Sequence, residues 1–369
     1  MRRSPSRVLR ARMLPRLVCL ALAGLLASTS AACKDSVAPE EQAMDQLLFL
    51  STRDGAMRGS QPLNEIYRMN ADGSGLENLT RHPGSYTHLS VLPGGRTVIF
   101  EGTRDWGPFT TDCPTQIWRM ETDGSRLQPV TAGNCSRTPH LSLDGSSIAY
   151  RHGDAIFVAN IDGTGAREVS HALPPVEHSC SEAGARWFVQ ILGWVPAGRV
   201  AFYRHICGVG TTNYSVDAQG NGLSELDHGS QSGYPSPDGK RVAFTSAGQL
   251  LVMNADGSHV RGEAQGAALP DRLVNGVSPW SPDGTRLYFT TVDGHYVADV
   301  AGTGVRRLAE ASFIATYYGW SPRGDRIAFH ALTGEAGTDI YVVGVDGGGP
   351  VKLTNGGSFN TGAVWVRGR

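Results

Sequence analysis

Histidine and serine are the residues of this sequence whose types and spacing come nearest to a metal-binding or reactive site. His88 and His140 each stand one residue before a leucine, and two imidazoles brought together by equivalent strands are suitable metal ligands. The pattern supplies no third ligand, so hydrogen-bonded polar residues are the preferred interpretation and a metal site is the alternative. Segment 229–233, Gly-Ser-Gln-Ser-Gly, places no serine at the centre of a Gly-x-Ser-x-Gly nucleophile elbow. We therefore predict a protein without enzymatic activity and without a cofactor.

Aspartate followed by glycine recurs along the chain, as in segment 70–74, and raises the alternative of calcium loops. A loop of the EF-hand type requires glycine at its sixth position and glutamate at its twelfth, and neither is present. Asp-Gly is also favoured in tight turns, because aspartate bonds the backbone ahead of it and glycine tolerates a positive φ. We interpret these segments as turns.

The first 32 residues have the pattern of a secretory signal peptide. Six arginines precede residue 17, residues 17–27 form an apolar run, and residues 28–32 are small. The apolar run is too short for a membrane-spanning helix of about 20 residues. Cys33 follows in a sequence that resembles a bacterial lipobox, although Ser30 stands where leucine is usual. Cys33 is therefore the predicted lipid-attachment site, with ordinary cleavage as the alternative, and Lys34 after it favours the outer membrane by resemblance to enterobacterial sorting.

Charge and composition limit what the exported chain binds. Without residues 1–32 the chain keeps 27 basic and 34 acidic residues, and it has no basic cluster. Nucleic acid requires a basic surface, so we predict no nucleic-acid partner. The 47 glycines and 20 prolines argue against long helices, while the hydrophobic share of 40% is enough for a sizeable core.

The elements that must position these residues are given by two repeated motifs. The first motif is a strand, a Ser-Pro-Asp-Gly turn and a second strand, as in 280–289. Further copies lie at 234–244 and 320–329, with weaker copies at 89–100, 141–150 and 194–202. The second motif is a β-rich run, an Asp-Gly turn and a short apolar strand, as in 66–79, and it occurs seven times. Together the two motifs predict units of four antiparallel strands.

Such units are typical of the blades of a β-propeller. The chain begins in mid-unit, since 47–51, 66–70 and 76–80 match the second, third and fourth strands, and 363–366 matches a lone first strand. We predict an all-β propeller of seven blades, closed by the C-terminal strand joining the first blade. Six blades is the alternative if the degraded unit at 180–226 is not a blade. Domain boundaries are then 1–32 for the signal peptide, 33–45 for a tether and 46–369 for the propeller. The tryptophans of the first strands, Trp280, Trp320 and Trp365, are predicted core residues.

Four cysteines remain once Cys19 in the signal peptide and Cys33 are set aside. An even number in an exported protein predicts disulfides, and four cysteines allow three pairings. The repeat places Cys113 and Cys207 between the second and third strands of their units, and Cys135 and Cys180 between successive units. Both kinds of connection open on one face of a propeller, which favours Cys113–Cys135 and Cys180–Cys207. A metal site is the alternative, although the sequence contains no Cys-x-x-Cys.

The paired motifs resemble the PD40, or WD40-like, repeat of the TolB-like propeller family, most closely at 66–80, 280–289 and 320–329. The resemblance covers roughly 46–369. It implies a propeller in the bacterial envelope that acts mainly as a protein-binding platform. The chain departs from TolB in lacking a separate N-terminal α/β domain, in its predicted anchor, and in seven blades rather than six. We therefore carry over the repeat and its binding habit, and not the partnership of TolB with other Tol proteins.

Long connections are the expected place for a partner site. The longest are 104–116, with Trp106 and Phe109 as candidate binding residues, and 171–186. We expect a partner that is an envelope protein or a glycan, in the periplasm or at the outer membrane, and a monomeric chain. The alternative is a metal-dependent polysaccharide lyase, because some propeller lyases bind a metal where first strands such as those of His88 and His140 meet.

Overall fold

The computed structural model describes residues 44–103, 114–132, 135–174, 188–206, 210–226, 233–246, 249–254, 258–259, 261–262, 279–291, 294–301, 303–310, 318–332, 337–355 and 357–368. They belong to one compact unit, 43–369. Across these ranges no helix has the length and apolar character needed to cross a bilayer.

The Ser-Pro-Asp-Gly turn has the structure that its residues predict. The Gly284 N–H donates to the Ser281 carbonyl (2.8 Å) at a glycine φ of +67°, which a residue with a Cβ adopts only with strain. The Asp283 carboxylate accepts the Ser281 hydroxyl (2.6 Å) and the Thr285 N–H (3.0 Å). Because the turn closes on its own side chains, it fixes the pairing of the strands on either side.

The strands cover most of the described chain. In the first part they are β1 (Gln46–Ser51), β2 (Met57–Arg58), β3 (Gln61–Pro62), β4 (Glu65–Asn70), β5 (Glu77–Asn78), β6 (Ser85–Val91), β7 (Thr97–Thr103), β8 (Gln116–Glu121), β9 (Gln128–Pro129), β10 (Ser136–Leu141), β11 (Ser147–His152), β12 (Ala155–Asn160), β13 (Arg167–Glu168), β14 (Phe188–Val195), β15 (Arg199–Ile206), β16 (Gly210–Asp217) and β17 (Ser224–Leu226). In the second part they are β18 (Gly233–Pro235), β19 (Arg241–Ser246), β20 (Gln249–Asn254), β21 (Arg261–Gly262), β22 (Arg286–Thr290), β23 (Gly294–Asp299), β24 (Arg306–Glu310), β25 (Tyr318–Trp320), β26 (Arg326–Leu332), β27 (Thr338–Gly344), β28 (Val351–Lys352) and β29 (Asn360–Val366). One 3₁₀ turn, Pro196–Gly198, separates β14 from β15.

These strands form seven blades of antiparallel sheet, as the repeat predicts. Blade 1 has the order β29-β1-β4-β5, so the C-terminal strand completes the first blade. Blades 2 to 5 are β6–β9, β10–β13, β14–β17 and β18–β21, and blade 7 is β25–β28. Blade 6 is β22–β24, with an isolated bridge from Trp280 to Leu287 in place of a first strand. The degraded unit at 180–226 is a true blade, blade 4, which excludes the six-blade alternative.

Apolar side chains fill the spaces between blades. Six clusters of buried residues each join two neighbouring blades, at boundaries 1/2, 2/3, 3/4, 5/6, 6/7 and 7/1, where a boundary is named by the two blades that meet. At boundary 7/1, for example, Leu47 and Phe49 of blade 1 share a cluster with Ile340 and Val342 of blade 7. The alternation of buried residues along each strand thus serves two boundaries, one on each side of the sheet.

The tryptophans of the first strands are core residues, as predicted, and they also connect blades. Each donates its indole N–H to a backbone carbonyl of the preceding blade's first strand, because a buried indole N–H requires an acceptor. The pairs are Trp194 to His140 (2.8 Å), Trp280 to Tyr234 (2.8 Å), Trp320 to Pro279 (3.1 Å) and Trp365 to Gly319 (2.9 Å).

An arginine of the preceding blade covers three of these tryptophans. The guanidinium groups of Arg241, Arg286 and Arg326 lie 5.2, 5.4 and 5.0 Å from the rings of Trp280, Trp320 and Trp365. Arg241 and Arg286 also donate to the glycine carbonyl of the next blade's turn. Arg241 and Arg286 therefore each hold the next blade through both a ring and a backbone acceptor.

Closure of the ring uses the same device with one substitution. Blade 1 has no Ser-Pro-Asp-Gly turn, and Arg326 instead donates to the carboxylate of Asp45 (3.0 Å), which is 4% exposed. Arg323 lies 3.5 Å from the same carboxylate oxygen. The last residue of the predicted tether is therefore already part of the ring.

Candidate functional site

The two faces of the ring are built from different connections. The turn face carries the connections from first to second and from third to fourth strands, and the loop face carries the remaining two kinds. On the loop face Asn64 and Gly84 exchange backbone hydrogen bonds (2.9 and 3.1 Å), and the Ser136 N–H donates to the Thr115 carbonyl (3.0 Å). Connections within a unit and between units therefore meet on one face in the described residues, as predicted.

Connection length separates the faces further. Between first and second strands the turn face repeats nearly one length, as at 92–96, 142–146, 236–240 and 321–325. On the loop face the strand bounds leave connections as short as 153–154 and as long as 169–187. Variable connections on a constant scaffold are the usual location of binding residues.

The polar groups of the turn face are occupied by the turns themselves. A serine or threonine of the same turn donates to the aspartate and lowers its pKa, at Asp72, Asp144, Asp162, Asp238 and Asp283. Carboxylates committed in this way have reduced capacity to accept bonds from an external ligand.

A network of buried polar groups lies on the loop face where blades 7 and 1 meet. Asn360, fully buried at the start of β29, donates to the Thr338 carbonyl (2.8 Å) of blade 7. Its side-chain oxygen accepts the Ser51 hydroxyl (2.7 Å) and the Arg53 guanidinium (3.1 Å) of blade 1. Beside it the buried Asp339 bonds Lys352 at 2.7 Å, which raises the pKa of that lysine. This end of the closing strand is thus held to both blades by satisfied polar groups.

A second polar network continues from there across blade 1. The Asn78 amide donates to the buried Glu65 (2.6 Å) and to Asp54 (3.0 Å). Burial, with a hydrogen bond to Asp54, raises the pKa of Tyr67. The Arg53 guanidinium lies 4.7 Å from the Tyr67 ring, and burial lowers the pKa of Arg53. Because Arg53 and Asp54 belong to the connection that follows β1, this network holds that connection to blade 1.

Exposed apolar side chains surround these networks on the loop face. Phe359 is 48% exposed and is held between blades by backbone bonds to Thr52 and a bridge to Thr338. Met57, in the projecting β2–β3 hairpin, is 56% exposed, and Leu332 is similarly open. Apolar groups presented on a rigid backbone are suited to contacting a partner.

Blade 4 extends the loop face with three strands of eight residues each, β14, β15 and β16. Phe188, at the start of β14, is opposite His205, and its ring centroid lies 5.3 Å from that imidazole and 5.9 Å from the Tyr203 ring. These three aromatic side chains form a cluster that is partly open to solvent.

The candidate metal ligands His88 and His140 are close but not equivalent. Strand register aligns Ser90 with His140, and His88 with Thr138, since a bulge in each first strand gives His88 and Thr138 positive φ values. The equivalence inferred from the leucine that follows each histidine is therefore wrong by two residues.

Glu101 connects these two bulges. Its carboxylate lies 3.1 Å from His88 Nδ1 and accepts the Thr138 N–H (2.8 Å) of the next blade. Burial acts to raise the pKa of Glu101, but the bonds from His88 and Thr138 hold it below its usual value. Burial, with a contribution from His88, lowers the pKa of His140 to about 4. No set of three His, Cys, Asp or Glu side chains suited to a metal occurs within the described ranges.

Most of the other predicted site residues lie outside the described residues. These are Cys33, Trp106, Phe109, Cys113, Cys180 and Cys207. Cys135 is described and lies on the loop face, where its carbonyl accepts the Gly153 N–H (3.2 Å). Its pairing with Cys113 stays a prediction.

The sequence matches no family model and no curated protein. Three similar solved structures share 11–13% sequence identity with this chain. The β-propeller domain of the trilobed protease from Pyrococcus furiosus gives a TM-score of 0.57, with 85% of this chain and 99% of that chain covered. Acylaminoacyl peptidase in complex with Z-Gly-Gly-Phe-chloromethyl ketone gives 0.55 over 85% and 52% of the two chains. TolB from Acinetobacter baumannii gives 0.47 at 87% and 66% coverage, so this chain spans less than two thirds of it. At this identity the likeness concerns the fold alone.

Proposed function

We propose that this chain is an exported, non-enzymatic propeller that binds a protein or glycan partner in the bacterial envelope through its loop face. The observation that supports it most directly is the contrast in connections: the turn face repeats short turns of nearly one length, and the connections of the loop face vary in length on a fixed scaffold. The signal-peptide pattern of residues 1–32 supports export, and Cys33 in its lipobox-like sequence is the proposed lipid anchor.

The geometry of the loop face suits recognition. Phe359 and Met57 present apolar surface from backbone that hydrogen bonds and strand pairing already fix, so binding orders little additional chain. The nearby charged groups Asp339, Glu65 and Arg53 each already bond another side chain of the protein, and they support the surface from below. We propose that the partner contacts the exposed apolar groups and not the buried polar ones.

Affinity capture with matched surface variants tests the proposal. The chain from residue 34 is cross-linked in envelope fractions of its native host as wild type, as the loop-face double variant Met57→Ser/Phe359→Ser, and as the turn-face control Leu76→Ser/Leu143→Ser. The four side chains have comparable exposure, between 45% and 56%. We expect the wild type and the turn-face control to capture the same partner in similar amounts. The loop-face variant should capture at least about tenfold less of that partner.

Two results would contradict the proposal. Loss of the partner in the turn-face control with retention in the loop-face variant would place the site on the opposite face. Turnover of a polysaccharide that depends on a divalent ion, together with that ion in the purified protein, would favour the lyase alternative. A further variant, Trp106→Ala/Phe109→Ala, tests the binding residues expected from the sequence.

A further inference from the structure

Boundary 4/5 differs from the other six in the residues that face it. In the third strand of each blade, one position points at the next blade; it holds isoleucine or leucine in five blades, at Ile66, Ile117, Ile156, Leu250 and Ile340. In blade 4 this position is Asn213, and the next position on the same side is Ser215, where blade 7 has Val342. Both side chains are buried, at 6% and 4% exposure. Polar groups therefore occupy two successive inter-blade positions of blade 4, the first of which is apolar in five blades and holds the buried His295 in blade 6.

The opposite side of this boundary is apolar. Val242 and Phe244 of blade 5 occupy the positions of Leu47 and Phe49 in blade 1, which pack on blade 7. Both are buried, and the inner strands β14 and β18 lie against each other, so the blades are adjacent. Of the six apolar clusters found among the described residues, none joins blades 4 and 5. Apolar surface that faces asparagine and serine gains less from burial than apolar surface that faces isoleucine and valine.

The tryptophan contact is also missing at this boundary. Pro235 takes the place of tryptophan in the first strand of blade 5, and its side chain has no N–H that could replace the indole donor. Blades 2 and 3 have Val91 and Leu141 there, but apolar clusters join each of them to the blade before it. Boundary 4/5 has neither contact in the described residues.

The arginine contact is redirected within blade 4. Arg199 is equivalent to Arg241 and Arg286, yet it donates to the Ser215 carbonyl (2.9 Å) and the Gly222 carbonyl (2.6 Å) of its own blade. In blades 1, 2 and 3 other arginines donate to a backbone carbonyl of the next blade; Arg167 of blade 3, for example, donates to the Ala218 carbonyl (2.7 Å). The position of Arg167 in blade 4 is Ser224, which is too short to reach the next blade.

From these four differences we propose that the ring opens at boundary 4/5: blades 4 and 5 separate locally before any other pair, exposing the apolar side of blade 5. The chain is continuous across this boundary, between β17 and β18, so opening requires no release of the closing strand. This inference concerns the ring itself and holds whatever partner the loop face binds.

Four equivalent alanines allow a matched test. Ala149, Ala201, Ala243 and Ala328 occupy one second-strand position, on the side that faces the next blade, and all are at most 4% exposed. Each is replaced singly by cysteine in the mature chain, and the rate of reaction with a maleimide is measured under native conditions, with the unmodified chain as background. A buried thiol reacts only when its boundary opens, so the rate reports opening at boundaries 3/4, 4/5, 5/6 and 7/1.

We expect Ala201→Cys to react at least about tenfold faster than the other three, which corresponds to about 1.4 kcal/mol in the opening equilibrium. Equal rates, or the fastest reaction at Ala328→Cys, would overturn the proposal. A repair experiment separates opening from slight static exposure. Adding Asn213→Ile/Ser215→Val to Ala201→Cys is expected to slow its reaction about tenfold, and an unchanged rate would also overturn the proposal. If the repaired chain fails to fold, the four single cysteines still decide.

Discussion

Boundaries 7/1 and 4/5 are both crossed by the chain, between β28 and β29 and between β17 and β18, but they differ in their side-chain contacts. Boundary 7/1 lies beside the β29–β1 strand pair that closes the ring by hydrogen bonds, and it carries an apolar cluster, the indole bond of Trp365, the Arg326 contact and the Asn360 network. At boundary 4/5 the described residues supply none of these four contacts. The difference teaches that a chain connection does not by itself hold two blades together, and that side-chain contacts reinforce the boundary next to the non-covalent strand pair.

Replacing Trp365 by alanine is expected to have the largest effect on this comparison. The substitution removes a buried indole, its bond to the Gly319 carbonyl and the ring under Arg326, at a cost of about 3–5 kcal/mol in the free energy of unfolding. Urea denaturation followed by circular dichroism measures it. Trp365→Phe keeps most of the ring and loses the N–H, so it should cost much less; equal losses would show that the indole bond and ring burial are not separable.

Asn360→Ala should be next in size. Removing the amide takes away the acceptor of the Ser51 hydroxyl and a donor to the Thr338 carbonyl, which costs about 2–3 kcal/mol. The control is Asn355→Ala, at an exposed position of the preceding connection. The network has no role in closure if both variants have the same urea midpoint.

Acid should weaken the side of blade 7 that faces blade 1. Burial lowers the pKa of His330 to about 4, while an unfolded histidine titrates near 6.5. Between these values the unfolded chain binds a proton that the folded chain does not, so stability is full above pH 6.5 and falls as the pH drops toward 4. We expect a loss of about 2–3 kcal/mol from this group by pH 4. Melting temperatures of the wild type and His330→Gln across that range test it, and an unchanged slope in the variant would refute the assignment.

Asp45→Asn should give the smallest of these effects. It weakens the bonds from Arg326 and Arg323, whose guanidinium groups are partly exposed, so about 1.5 kcal/mol is expected. The loss should shrink in high salt, because salt already screens the exposed part of the ion pair in the wild type. A cost that does not depend on salt would mean that Asp45 acts through packing alone.

The sequence predicts the features that depend on local patterns. The Ser281–Gly284 turn closes on its own atoms, so its sequence can be recognised in each repeat. The number of repeats, with a lone first strand around Trp365, then predicts seven blades and the closing strand. The bulge that shifts His88 against His140 depends on pairing with β7 and β11, which leucine spacing does not reveal. Asp45 lies in a segment without periodicity, and its partner Arg326 is remote in sequence. Asn360 follows a glycine-rich connection, and its partners Ser51, Arg53 and Thr338 come from two blades. The missing contact from Arg199 to the next blade is recognised only when Arg199 is compared with the equivalent arginines of other blades.

The central claim is that side-chain contacts, and the closing strand above all, hold the ring together. A protease site inserted in segment 227–232 and cut in the folded protein leaves two fragments, one with blades 2 to 4 and most of blade 1, the other with blades 5 to 7 and β29. Size-exclusion chromatography then tests whether the β29–β1 pairing and the contacts of boundary 7/1 keep them together. We predict a single peak at the size of the intact chain for the wild type, and separation when Trp365→Ala and Asn360→Ala are added. Separation of the wild-type fragments on cutting would contradict the account.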